Sequence, residues 1–205
     1  MSLSEEQVQR YSRQILLAEV GGRGQEQLLA SGVELTGAGP AQTTAAAYLA
    51  AAGCPIRGPR RAVKPGEQGF LFTCDDVGGS SSDALRTALE DMNPDALAGM
   101  VDGCLGEVPA SFSGPGPWIA LGRREGRNEV LYRAPAGCRD CFAQNASALL
   151  PPPASASALL GPLAALIFQR ICLGLSEPIG RLAVEDGGAV IRLSADRCGQ
   201  CLAAP

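Results

Sequence analysis

A chain of 205 residues, 46% hydrophobic and carrying a formal charge of −4, has apolar material for one ordinary core or a core with a small appendage, so a single globular domain is expected. The 17 Lys and Arg are scattered or occur in short pairs such as Arg60-Arg61 and Arg123-Arg124, which argues against nucleic acid as a partner. Histidine is absent, which removes Ser-His, Cys-His and His-metal chemistry together.

Met1 to Glu6 has neither the basic start nor the apolar run of a signal peptide, so a cytoplasmic location is expected, where eight cysteines are thiols or metal ligands rather than disulfides. Ser4-Glu5-Glu6-Gln7 is a capping-box pattern and predicts a helix start. A second short helix is expected over Gly24–Leu29, then a strand over Val33–Thr36 that ends in Gly37-Ala38-Gly39. The Ala-rich stretch 41–52, with Tyr48 and Leu49 as anchors and Gly53 as a left-handed cap, predicts a helix.

Leu85, Ala88 and Leu89 stand at helical spacing within Ser82–Met92, and Asn93-Pro94 stops that helix. Strands are predicted over Met100–Cys104, Trp118–Leu121 and Asn128–Tyr132, the first two separated by the loop 113–117. Pro151–Ser155 reads as a mobile connector. Leu159–Leu175 is apolar but interrupted by Gly161-Pro162 and Gln169-Arg170; it falls short of a clean membrane span and reads as a buried or interface helix. Arg181–Glu185 and Ala189–Leu193 make a hairpin around Gly187-Gly188.

Cys138-Arg139-Asp140-Cys141 and Cys198-Gly199-Gln200-Cys201 each set two thiolates at the spacing of a metal knuckle, and two knuckles complete a tetrahedral four-sulfur shell. Gly137 and Gly199 are expected to give these turns their backbone freedom. The metal expected is structural zinc, with iron as a minor alternative. A redox pair is the competing reading; it should open a helix after a buried strand, whereas both pairs here read as polar turns. Cys54, Cys74, Cys104 and Cys172 lack partners at metal spacing and are expected as buried or half-buried small hydrophobes, with a persulfide or thioester role for one of them as the alternative.

Gly37 and Gly39, between a strand and an Ala-rich helix, stand where a nucleotide fold places phosphate. The signal is weak alone, since the third glycine of the fingerprint falls at Gln42 and Pro40 removes an amide donor. Arg10-Tyr11-Ser12-Arg13-Gln14-Ile15, Gly24-Gln25, the glycine turn, Tyr48 to Gly53, Asp76-Val77-Gly78, Asn93-Pro94 and both cysteine pairs nevertheless follow one another in an order that resembles the ThiF/MoeB/HesA family of ubiquitin-activating-type enzymes, over nearly the whole chain. The resemblance implies an α/β, Rossmann-like, mostly parallel sheet flanked by helices, with a C-terminal antiparallel portion and a four-cysteine zinc knuckle site. Its parts would be a helical arm over 1–30, a reduced Rossmann-like half over 31–110 and a zinc-bearing half over 118–205. It further implies a dimer that binds ATP and magnesium and adenylates the C-terminal glycine of a ubiquitin-like sulfur carrier. Arg13 matches the arginine that the family extends into the neighbouring protomer's ATP site; an exposed helix-end arginine is the plain alternative.

Departures from the family pattern decide the functional expectation. Where family members carry an acidic residue for the ribose, then Asn and Arg for the triphosphate, this chain reads Pro55-Ile56-Arg57-Gly58-Pro59-Arg60-Arg61, with Pro65 and Gln68 at the amide and arginine positions. Ser81 replaces a lysine. Asp102 is kept near a strand end, but the magnesium-binding aspartate falls at Leu105, with Glu107 one gap away. Glu34 and Thr36 also make the first strand polar for a central parallel strand. The expectation is therefore a lapsed enzyme with ATP and magnesium in doubt, acting as a binding subunit for a carrier or as the partner of an active relative, in a homodimer or heterodimer through Leu159–Leu175. The alternative is a working adenylyltransferase using Asp75, Asp76, Asp102 or Glu107 for magnesium. Thiol chemistry at Cys74 or Cys104, and a ligand-free structural homodimer, are the remaining classes.

Overall fold

The structure, a computed structural model, describes residues 2–67, 69–106, 114–185 and 188–203. The capping box forms as read: Ser4 Oγ accepts from the Gln7 amide at 3.2 Å, Gln7 Oε1 accepts from the Ser4 amide at 3.1 Å, and α1 runs over Glu5–Arg10. Two further helices, α2 (Ser12–Ile15) and α3 (Gly21–Ala30), complete the N-terminal arm, with Tyr11 buried between α1 and α2.

Seven strands form one sheet in the order β2-β1-β3-β4-β5-β6-β7, where β1 is Gly32–Leu35, β2 Ile56–Arg57, β3 Val101–Gly106, β4 Trp118–Arg124, β5 Arg127–Arg133, β6 Ile179–Val184 and β7 Val190–Leu193. Pairing is parallel from β2 through β4 and antiparallel from β4 through β7, so the antiparallel share equals the parallel one. The sheet is mixed and Rossmann-like, flanked by helices. From β1 the chain crosses through α4 (Pro40–Ala51) to β2 on one side, then through α5 (Ser81–Met92) to β3 on the other. A crevice between the carboxyl ends of β1 and β3 is the consequence of that reversal.

Despite Glu34 and Thr36, β1 is a central parallel strand. Val33 and Leu35 supply its buried face, while Glu34 and Thr36 remain only half-buried on the other, so continuous apolar character is not needed there. Val33, Leu35, Leu105, Ile119, Leu121 and Val130 make one core face under α4 and α7 (Ser157–Cys172). The opposite face gathers Cys104, Trp118, Ala120 and Leu131 under Phe142 of α6 (Arg139–Ala146).

Helix α4 approaches α7 closely because alanines face it and because Gly161 carries no side chain: a β-carbon there would lie 2.7 Å from Thr44 Cβ and 2.9 Å from the Ala41 carbonyl. Gly53 takes the left-handed conformation (φ 85°) that ends α4. Tyr48 is not an anchor; it is 53% exposed on the outer face of α4, and Leu49 alone points into the core. The apolar C-terminal helix is a core helix. By length and composition Ala154–Cys172 is long and apolar enough to cross a membrane, correcting the sequence reading, but half of it is buried within the fold. Pro151–Ser155 is tied down rather than free: Leu150 and Arg123 exchange backbone hydrogen bonds of 2.9 and 2.7 Å, and residues 154–156 form a 3₁₀ turn.

Candidate functional site

At the end of β5 the chain turns through residues 134–137 and opens α6 at Cys138, its N-cap, while Cys198 leads into the short α8 (Gly199–Ala203). Both knuckles therefore open helices, in contrast to the turn-like setting expected. Neither Gly137 nor Gly199 needs a left-handed backbone. Gly137 is required by space instead, since a β-carbon would lie 2.9 Å from Arg133 Cγ and 3.0 Å from the Pro178 carbonyl carbon.

The sulfurs of Cys138, Cys141, Cys198 and Cys201 all lie within 4.8 Å of one another. Cys138 Sγ and Cys198 Sγ are 3.7 Å apart. That is far too long for a disulfide, whose sulfurs stand about 2.05 Å apart. It matches the edge of about 3.8 Å that a tetrahedron with zinc–sulfur bonds of about 2.3 Å requires. The Cys198 amide donates to Cys141 Sγ at 3.2 Å, the kind of bond that stabilises a thiolate. Among the free thiols Cys138 is drawn down to about 7, chiefly by the Cys141 amide, while Cys201 is pushed up to about 12 by sharing protons with Cys138, Cys141 and Cys198. The four residues fit one soft metal ion, and no open position is left in a four-sulfur shell.

The crevice at the strand reversal holds a cavity of about 890 Å³ bordered by Gly37, Gly39 and Gln42 on one side and by Trp118, Arg139 and Leu149 on the other. Gly39 caps α4 without a side-chain bond and Pro40 takes its first position. Gln42 folds back over the turn: its Oε1 is 2.8 Å from where a Gly39 β-carbon would stand, and its Nε2 is 3.2 Å from the same point at Gly37. The side chain thus crowds the turn on the side where β-carbons at Gly37 and Gly39 would stand. Arg61, Lys64 and Arg139 bring positive charge to the rim, against Glu67 and Asp140. Arg61 grips Glu67 with two bonds, at 2.8 and 2.5 Å, and holds its carboxyl below the usual range. Among the described residues Asp140 is the one bordering carboxylate without a cation pair.

Arg13 is exposed on α2 and does not border the cavity. Nor do Asp75, Asp76 or Asp102, the acidic residues considered for magnesium. Asp76 caps a 3₁₀ turn by accepting from the Thr73 amide at 2.7 Å. Asp102 sits near the start of β3 rather than at its end, because the strand runs on to Gly106; burial raises its pKa. Leu105 is core. Ser81, in place of the family's lysine, is buried, its hydroxyl 2.6 Å from the Pro59 carbonyl oxygen. Gln68 and Glu107 lie outside the described residues. Cys54 and Cys104 are buried and burial raises both thiols, Cys104 to about 12; Cys172 is half-buried and Cys74 is exposed.

The sequence reading missed the roles of Trp118, Arg133 and Arg139, which stack together with the two guanidinium carbons 4.5 and 5.4 Å from the indole centroid. Arg139 lies inside the first knuckle, so its place at the rim followed only once that knuckle was known to open a helix.

No protein-family model matches the chain. Over 96 residues, 45% of this chain, it is 36% identical to an adenylyltransferase and sulfurtransferase, MOCS3, of Drosophila sechellia, covering 21% of that protein. It is 34% identical over 98 residues to a sulfur carrier protein adenylyltransferase of Thermus thermophilus and over 99 residues to the vegetative HesA protein of Trichormus variabilis, in each case 46% of this chain, covering 36% and 37% of those relatives. The chain thus spans well under half the length of these curated relatives. In fold it is similar to E. coli MccB in complex with AMPCPP and MccA, with a TM-score of 0.70 at 18% identity over 93% of this chain and 72% of that one. PaaA gives the same TM-score and identity over 95% and 84%.

Proposed function

We propose that this chain is a metal-stapled member of the ThiF/MoeB/HesA family whose adenylation site has lapsed and which acts by binding, a reading supported by its likeness to MOCS3, HesA and a sulfur carrier protein adenylyltransferase over less than half of its length. Its relatives are adenylyltransferases, one of them named for a sulfur carrier. The proposed partner is accordingly a ubiquitin-like sulfur carrier or an active relative, to which Arg13 would be presented in a homodimer or heterodimer in the cytoplasm.

The observation that carries this reading is the lining of the cavity. Gln42 stands over the glycine turn and Glu67 is committed to Arg61, so Gly37 and Gly39 frame a narrowed phosphate site whose unpaired carboxylates for magnesium come down, among the described residues, to Asp140. Each missing electrostatic group is worth about 2.7 to 4 kcal/mol of transition-state stabilisation, so several absent together leave a negligible rate. The metal at Cys138, Cys141, Cys198 and Cys201 is proposed to be zinc with a structural role. It would supply cross-linking of the C-terminal arm and no reaction step.

ATP–pyrophosphate exchange, assayed with and without a sulfur carrier protein, tests the reading. We expect no exchange above the protein-free rate. Carrier-dependent exchange would instead establish the second reading, a working adenylyltransferase, which the names of its relatives favour.

A further inference from the structure

We propose that Asn145 is the positioning residue of the metal centre, a clamp that delivers Cys198 and Cys201 to Cys138 and Cys141. The proposal rests on the reading that these four thiols hold a metal. The two halves of the centre stand 60 residues apart in sequence, counted from Cys138 to Cys198, so their meeting has to be arranged by something other than chain continuity.

Asn145 lies on α6 four residues after Cys141 and seven after Cys138, so it shares their side of the helix. It is 1% exposed. Its carboxamide reads the backbone of Asp196 from both sides: Oδ1 accepts from the Asp196 amide at 3.1 Å, and Nδ2 donates to the Asp196 carbonyl at 2.8 Å. The same Nδ2 donates to the Cys141 carbonyl at 2.7 Å. One side chain therefore joins the helix that carries the first knuckle to the residue two positions before the second. The Cys198 amide then falls 3.2 Å from Cys141 Sγ. Arg124 reinforces the junction by donating to the Asn145 carbonyl, with its Nη1 3.9 Å from the Asp196 carboxylate.

Only a carboxamide fits this place. A carboxylate would face two carbonyl oxygens with no proton to offer, and a shorter side chain would not span to Asp196. Hydrogen-bonding groups around metal ligands fix ligand orientation, and their loss typically costs about 10- to 100-fold in metal affinity.

The test is cobalt(II) titration of the reduced full chain, followed by its thiolate-to-metal absorption, for the wild type, Asn145→Asp and Asn145→Ser. Serine can still bond the Cys141 carbonyl one turn back but cannot reach Asp196, so it isolates the clamp. Leu89→Ala, which empties a buried position in α5 away from the centre, reports what a loss of fold stability alone does. We expect the tetrahedral four-thiolate spectrum at saturation in the wild type and in both Asn145 variants. The midpoint should shift about tenfold or more toward weaker binding in the Asn145 variants, and not in Leu89→Ala. Affinity equal to the wild type in Asn145→Ser would overturn the proposal, as would a loss no greater than that of Leu89→Ala at matched melting temperature. A wild type that yields no thiolate–cobalt absorption would overturn the metal reading beneath it.

Discussion

Tyr11 shows how a residue that carries a sequence resemblance can be structural. Its hydroxyl donates to Asp95 at 2.7 Å and accepts from Asn93 Nδ2 at 2.9 Å, while Asn93 also donates to the Ala50 carbonyl at 2.7 Å and Arg10 pairs with Asp95 at 2.6 Å. Burial opposes the Asp95 carboxylate, but hydrogen bonds from Tyr11, Gln7 and Arg10 prevail and hold it below its usual range. Burial first, and then Asp95, pushes Tyr11 up to about 12. A raised folded value means that the folded state keeps a proton the unfolded chain gives up from about pH 10. The associated stability is complete below pH 10 and is lost as pH rises through about 12. Tyr11→Phe should cost about 1 to 2 kcal/mol at neutral pH. It should also flatten the alkaline limb of a stability profile measured by urea unfolding; a limb as steep as the wild type's would refute this. The motifs around Tyr11 and Asn93 were legible in the sequence, but their partnership was not, because it joins residues 82 positions apart. Gln42 was legible as a missing glycine, while its fold-back over the turn was not. Gln42→Ala should raise phosphate or nucleotide affinity measurably in equilibrium dialysis, and an unchanged affinity would mean that the turn is closed by something else.

Helix α6 does two things at once, since Cys138 and Cys141 belong to the four-cysteine cluster that could hold a metal ion and Arg139, Asp140 and Ala143 wall the cavity. Phe142 of the same helix packs edge-on against Trp118 with ring centroids 5.6 Å apart. Trp118 is the one tryptophan of the chain and is 5% exposed, so its emission reports the seating of α6. Extracting the metal with a chelator under reducing conditions should shift that emission to longer wavelength; a stationary spectrum would show that α6 holds without the metal. At the α4–α7 crossing, Gly161→Val would overpack against Thr44 and Ala41 and should destabilise by about 1 to 3 kcal/mol in thermal melts. Helix ends were readable because caps are local: Ser4 and Gln7 for α1, Gly53 for α4, Asn93 for α5. The knuckles were misread as turns because polar residues after Cys138 are as suited to a first helical turn as to a loop. The burial of β1 was likewise hidden, since which face of a strand is covered depends on helices that arrive later in the chain.

Across the whole molecule, the sheet reversal creates the crevice, α4 and α7 fill one face, and the C-terminal arm closes back on α6 through four thiols. Order of motifs along the sequence was enough to indicate this architecture, because each motif marks a strand end, a helix start or a knuckle. Cavity character was not, since Arg61, Lys64, Trp118 and Arg139 come from separate segments and meet only in the fold. We propose that the crevice at the sheet reversal is shaped like a nucleotide site but no longer serves as one. Calorimetric titration of the metal-loaded chain with ATP and magnesium tests it most directly. No heat of binding is expected at micromolar to low-millimolar ATP; saturable micromolar binding would refute the lapsed-site reading and favour a working adenylyltransferase.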